Sequence, residues 1–572
     1  MIDISKRYIV VMGVMLLCFG AMKGQSLEES LTVEGTYTPE VIAADRLSAT
    51  PSIISLSAPA SNLSYDLQGV TANFAPDALA MPATGWKTNR LLDTSRGYLN
   101  LSLGSWLNAS LSAGYAAIRN EDTKLNVWLS HNSTSLWQAW KADQEKGIEY
   151  SADRRFRYDE RIGADLRHKI ANAGTLTADL QYHFGHFNYY GTNFGTVKNQ
   201  RIVAPTQTLN DFHAHAGWKG ETSTPLSYRV DADVRYFGYD KAYIRTLTSP
   251  DFFSSMWVES VEEGKGLKET GVNVGGSIGY SFAGVSGLCA DLQYSGVLNS
   301  IGNDVNRVRI TPAYEYNRDN MSLRVGAELA FVSAENSRFR VAPDVRFGIR
   351  SGIGAFSARI GGGTHLRTLA YMHQMDYYGN PLAGCHDAAY SPIDASIAFQ
   401  LNPGGKWTFG IDGAWRTTLR ETFGGLYQAY LNRLPDYGDE LTRDRIHGFS
   451  VGVNAGYEFS RYFGLKGDFH WQPQHGTTGY LNGFDRPAIT VSAEATSKPI
   501  DPLTLSLCYE LRAKRYLLDS NISRLNFGAD YKINEKISIG AELCNLLNRH
   551  ELLFPALPTE GFTAAGVVKI KF

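Results

Sequence analysis

The feature that most restricts this chain is a period-two sorting of side chains that persists for nine or more residues at a time. Leu226, Tyr228, Val230, Ala232, Val234 and Tyr236 alternate with Ser227, Arg229, Asp231, Asp233 and Arg235. The pattern returns at 176–184, 323–331 and 503–512. Successive residues of a strand face opposite ways, so the sorting means two different solvents on the two faces of each ribbon. Soluble sandwiches and propellers also alternate, but their strands run about five or six residues. Tilted membrane-spanning strands need about nine to eleven. Aromatic residues recur eight positions apart on the apolar face: Tyr228 and Tyr236, Trp407 and Trp415, Phe463 and Trp471. At a rise of about 3.3 Å and a tilt near 40°, that spacing climbs roughly 20 Å, close to the height of an apolar band with an aromatic girdle at each rim. The expected fold is all-β, a transmembrane antiparallel up-and-down β-barrel.

Turn signals set its size. Short polar or glycine turns fall at 119–124, 171–174, 221–225, 283–287, 317–320, 351–354, 402–405, 460–462, 497–502 and 533–536. Longer loops fall near 135–159, 192–207, 244–266, 376–390 and 420–445. Short turns on one side and long loops on the other are the asymmetry of outer-membrane barrels, with the short side periplasmic. Ten short turns imply eleven hairpins and about 22 strands, the last from Gly561 to Phe572. The balance of 55 Lys and Arg against 57 Asp and Glu argues against a nucleic-acid partner. With 5 Cys the chain is not a disulfide scaffold, and Cys508 and Cys544 fall two expected strands apart.

The first segment reads as an address. Lys6 and Arg7 precede an apolar run from Tyr8 to Met22, followed by Gly24, Gln25 and Ser26. That is the layout of a secretory signal peptide over 1–24, and the run is shorter than the roughly 20 residues a spanning helix needs. Leu17 before Cys18 speaks against a lipoprotein. Residues 25–96 read as extended, broken by Pro39, Pro51, Pro59, Pro76 and Pro82. This stretch is a periplasmic tail, a segment threaded into the lumen, or a docking peptide for other envelope proteins. The barrel is expected over 97–572.

The C-terminal sequence carries a family resemblance. Asn545, Leu546, Leu547 and Asn548 match an Asn-Leu-x-Asn motif, a loop with Pro555, Pro558 and Gly561 follows, and an alternating strand ends at Phe572. With about 22 strands, this resembles the barrel of TonB-dependent receptors. The resemblance implies an outer-membrane receptor for uptake of a bulky or scarce solute, with a TonB-type energiser as partner. The chain departs from that pattern in having only 72 residues between Gln25 and Gly97 and no plug-like motif in them. It therefore reads as a plugless receptor-type barrel, gated by its N-terminal segment or a partner. Leu31 to Thr38 is a candidate TonB-box-like peptide. Two other functions remain open: an assembly subunit of an outer-membrane complex, and a passive porin-like channel.

The inward faces supply the candidate site. Arg229, Asp231, Asp233, Arg235, Arg324, Glu328, Arg340, Asp344, Arg346, Asp412, Arg416, Glu510 and Arg512 should line the lumen. They read first as a hydrated wall of compensated charge, and alternatively as a ladder for a charged solute. His213 and His215 share an inward face, and a hairpin centred near residue 198 would put His183 opposite His213. Three imidazoles there suit Zn, Cu or Ni, with Asp179 or Asp211 adding oxygen. No resident cofactor is implied. No catalytic constellation stands out, so the chain does not read as an enzyme. Lipid of the Gram-negative outer membrane is the expected surround.

Overall fold

The computed structural model describes residues 95–572 apart from 138–153, 172, 189–205, 221–224, 249–257, 283–284, 335–336, 376, 378–379, 382–387, 403–404, 423–435, 438–442, 477–486, 516–520, 550, 555–556 and 559. The expected signal peptide, and all but the last two residues of the 25–96 segment, lie outside the described residues.

The first described strand begins at Gly97. The first seven strands are β1 (Gly97–Gly104), β2 (Ala109–Arg119), β3 (Thr123–Trp137), β4 (Arg154–Ile170), β5 (Gly174–Asn188), β6 (Thr206–Gly220) and β7 (Leu226–Tyr239). Then follow β8 (Lys268–Phe282), β9 (Ser286–Asn299), β10 (Val305–Arg318), β11 (Met321–Ser333), β12 (Arg338–Ser351) and β13 (Gly354–Leu366). A short helix, α1 (Leu369–Met375), precedes β14 (Ala388–Leu401), β15 (Trp407–Thr422), β16 (Arg443–Ser460) and β17 (Phe463–Trp471). The last five are β18 (Ile489–Ile500), β19 (Leu503–Ala513), β20 (Ile522–Lys532), β21 (Ile537–Cys544) and β22 (Thr563–Lys571). Each pairs antiparallel with its neighbours, Gln474–Gly476 prolongs the line of β17 against β16, and β1 pairs with β22 from Tyr98↔Lys571 to Gly104↔Ala565. The result is a closed barrel of 22 staves.

All ten expected short turns join strands at one rim, and the opposite rim carries the long connections.

The sheet is inside out relative to a soluble protein. Val230, Val234, Ile278, Leu292, Val325, Ile397 and Trp415 are exposed on its outer face, the arrangement lipid requires. The aromatic spacing becomes two girdles. Trp415 pairs with Phe449, whose ring meets Trp471 edge-on at 4.9 Å. Trp407 pairs with Tyr457 towards the short-turn rim, where Tyr457 meets Phe459 edge-on at 4.6 Å and Phe459 meets Phe463 at a tilt at 5.4 Å.

The C-terminal asparagines have a physical reason. Asn545 and Asn548 adopt left-handed backbone conformations, with φ of 53° and 49°, which Asn tolerates better than most residues. The Asn545 amide donates to the carbonyls of Arg549 (2.8 Å) and Glu560 (2.9 Å), and Asn548 Oδ1 accepts the Phe562 N–H (2.9 Å). The motif thus ties the loop before the last strand to the end of β21.

Candidate functional site

The candidate site is the inner wall. The thirteen expected lumen residues all lie on the face opposite the exposed apolar belt, and most are engaged. Arg229 donates to Asp231 (2.9 Å) and Arg235 forks onto Asp211 (2.8 and 2.7 Å). Arg324 holds three carboxylates: Asp344 (2.8 Å), Glu315 (2.6 Å) and Asp291 (2.8 Å). The second oxygen of Asp344 takes Arg346 Nε at 3.0 Å. Arg416 binds Asp394, and Arg512 Nε donates to Glu510 at 2.7 Å. Arg340 lies over the ring of Tyr390, 4.9 Å from its centroid. Asp412 rests against Gly452, where a Cβ would come within contact of its Oδ1.

A glycine bulge within β13 explains where Glu328 goes. Gly363 has a φ of +129°, and a Cβ there would meet both Glu328 carboxylate oxygens at 2.6 Å. The register shifts between Gly361 and Gly363, and the bulge lets Glu328 Oε1 accept the Thr364 N–H at 2.9 Å. Arg309 approaches the other oxygen at 3.4 Å.

The histidines do not assemble as expected. His183 lies opposite Asp211, and His213 opposite Gln181, a register two residues from the expected one. A long connection does not fix strand register as a tight turn does. His183 Nε2 meets Asp159 Oδ1 at 3.0 Å, while His213 and His215 both turn to Asp233, at 3.6 and 2.8 Å. Among the described residues no group of three His, Cys, Asp or Glu side chains is placed to hold a metal ion.

A further element was not legible in advance: a strap, residues 367–375 and 377, that follows β13 and packs on the inner wall of the barrel. Thr368 Oγ1 accepts the Tyr371 N–H at 3.1 Å and so caps α1. The Leu369 N–H donates to the buried Glu269 carboxylate at 2.7 Å, an anion at a helix N-terminus. Leu369 and Ala370 then bury themselves against Phe187, Leu209, Phe237, Tyr239 and Leu267 on the wall of β5–β8. These wall residues share the inward parity of His183, Asp211 and Arg235, so the apolar cluster lies inside the barrel, towards the long-loop rim.

His373 sits in the middle of that cluster. Its Nδ1 hydrogen-bonds the Tyr239 hydroxyl at 2.8 Å, and its ring packs among Phe187, Phe237, Tyr239 and Tyr377. Burial first, then the electrostatic influence of neighbouring His183, pushes its pKa down to about 3, so it docks as the neutral imidazole. Tyr377 closes the strap by donating to Asp159 Oδ1 at 3.0 Å, with Arg157 stacked over its ring. A cavity of about 430 Å³ remains between strap and wall, and a larger one of about 830 Å³ lies along β7–β13.

A closed antiparallel barrel of this stave number, with a charged interior, is the architecture of the TonB-dependent receptor barrels of the Gram-negative outer membrane. The fold matches the pyoverdine outer membrane receptor FpvA of Pseudomonas aeruginosa at a TM-score of 0.57 and 12% identity, over 84% of this chain and 78% of that one. It matches the ferric-catecholate import receptor Fiu from E. coli K12 at 0.57 and 7%, covering 84% and 82%. It matches the copper transporter OprC at 0.58 and 10%, covering 84% and 81%. No protein-family model matches the sequence, and no curated protein is similar to it.

Proposed function

We propose that this chain is an outer-membrane receptor that takes up a bulky or scarce solute, with passage controlled by residues 25–96, by a partner, or by both. The stave number carries the reading. Porin channels close with about 16 to 18 strands, whereas 22-stranded barrels of the outer membrane are transporters with an occluded lumen. The receptors and transporters that share the fold support it, as does a wall of compensated charge narrowed by an inward strap. A TonB-type energiser, or other envelope proteins reached through residues 25–96, is the proposed partner. The binding chemistry resides in the wall and needs no catalytic residue.

Conductance of the purified mature chain in a planar bilayer tests the reading. The receptor is expected to pass little steady current intact and a large one after deletion of residues 25–94. A large steady current from the intact chain would replace this reading with a passive porin. A silent chain that binds no solute and co-purifies stoichiometrically with other envelope proteins would replace it with an assembly subunit.

A further inference from the structure

We infer that Arg359 and Arg346, side by side on β13 and β12, form a binding site for an anionic group of a solute, a carboxylate or phosphate. The inference deepens the uptake reading and rests on it only for the solute's fate, not for its binding. Arg324, Arg346 and Arg359 stand directly opposite one another on three successive strands. Like charges placed so are unfavourable unless each is compensated. Arg324 is compensated by three carboxylates and Arg346 by Asp344. Both oxygens of Asp344 are thereby occupied, and Asp394, next in register beside Gly361, is taken by Arg416.

Arg359 is left over. Its Nε is buried with no hydrogen-bond acceptor among the described residues. Its guanidinium lies against Gly361, where a Cβ would come 3.0 Å from Nε and 3.3 Å from Nη2. Eight arginines line the 830 Å³ cavity that contains it. The other seven hold a carboxylate, a carbonyl or an aromatic ring. Six carboxylates line the same cavity, and Asp211 and Glu315 beside it hold Arg235 and Arg324, so the pairing accounts for every arginine there but Arg359. The cavity's volume is within the range of small-molecule sites. Arg307 Nε in the same cavity is also without an acceptor, but its terminal nitrogens hold the Thr364 carbonyl and Ser295; an unpaired buried donor is satisfied by a water, an ion or a ligand. An anion lying between Arg346 and Arg359 would supply the missing acceptor and relieve their repulsion, with the guanidinium forks matching a carboxylate or phosphate.

Titration calorimetry of the full mature chain in detergent, at low ionic strength, with citrate and with inorganic phosphate as probes, tests the site. Saturable binding of at least one probe is expected. Arg359→Gln should weaken it about 10-fold or more, the loss of a charge-assisted bond. Arg359→Lys should weaken it less, because it keeps the charge without the fork. Arg318→Gln, exposed at the short-turn rim and outside that cavity, should leave it unchanged. Heat-modifiable gel mobility reports whether each variant closes its barrel, and Arg346→Gln serves as the second test if Arg359→Gln does not. Absence of saturable binding to wild type, or equal binding by wild type and the folded variants, overturns the site. Anion binding without solute uptake would leave the site standing and remove the uptake reading instead.

Discussion

Replacing Leu369 by Ala should release the strap and leave the barrel closed. Leu369 has no exposed surface and packs with Phe187, Leu209, Phe237, Tyr239 and Leu267. Truncating a fully buried leucine to alanine costs about 2–5 kcal/mol, the transfer term plus the cavity left behind. Helix α1 is only 7 residues long, far too short to persist without its docking face. Its remaining anchors are the packing of Ala370 and His373 on the same wall and a few hydrogen bonds, each bond with a net worth of about 1 kcal/mol. A loss near the middle of the range, about 3 kcal/mol, shifts the docked–undocked equilibrium by roughly 100-fold. The barrel ladder does not depend on it, since β5, β6 and β7 are paired along their lengths. Hydrogen–deuterium exchange read by mass spectrometry should show amides of 369–375 losing protection by roughly that factor, with β5–β7 unchanged. A change below about 10-fold in α1, or parallel loss in β5–β7, would refute the claim that the strap is a separate unit held by this one face.

Three further outcomes follow from the same contacts. The docked His373 has its pKa pushed down to about 3, whereas an undocked strap would carry an ordinary histidine near 6.5. The undocked state therefore binds the extra proton, docking is fully stable above about pH 6.5, and roughly 2 kcal/mol is lost by pH 5. Exchange of 369–375, corrected for intrinsic rates, should rise on acidification in wild type and stay flat in His373→Phe; the groups facing the ring that bear on this are His183, Asp159, Arg157 and Arg161. Gly363→Ala places a methyl on the Glu328 carboxylate at a φ of +129°, so chemical unfolding followed by gel mobility should show a loss of about 2 kcal/mol or more. Asn545→Ala loses three side-chain hydrogen bonds and a favoured left-handed residue; about 2 kcal/mol should be lost, and equal stability to wild type would show the C-terminal motif is not structural.

What the sequence disclosed and what it withheld divide along one physical line. Each strand separates lipid from water, so a single residue's polarity reports its face, and the parity of Arg229, Asp231 and Arg324 could be read without knowing any neighbour. Tight turns are equally local: the connection between Ile170 and Gly174 fixes their pairing outright. Register across the long connection between β5 and β6 is not local, and there the expected partner of His183 was two residues off. The strap is further from legibility, because its docking joins His373 to Tyr239 and Leu369 to Glu269, at separations of 134 and 100 residues. Nothing in the run Thr368 to Tyr377 has a period that marks it as anything but loop.

Charge pairing sits between these cases, and it is where function enters. The alternation of Ser357, Arg359 and Gly361 against Phe356, Ala358 and Ile360 shows that Arg359 points inward. Parity cannot show that it has no partner, since that depends on how far its neighbours reach. Arg324 on β11 extends to Asp291 on β9, two strands away, and with Arg346 it takes both oxygens of Asp344. A wall of paired charges presents a passing solute with little net field, because each pair is already satisfied and each exposed pair contributes little. Discrimination then has to come from positions where the pairing fails. Arg359 is such a position on the wall of the larger cavity, so the least stabilised arginine there is the one with the most to gain from a ligand.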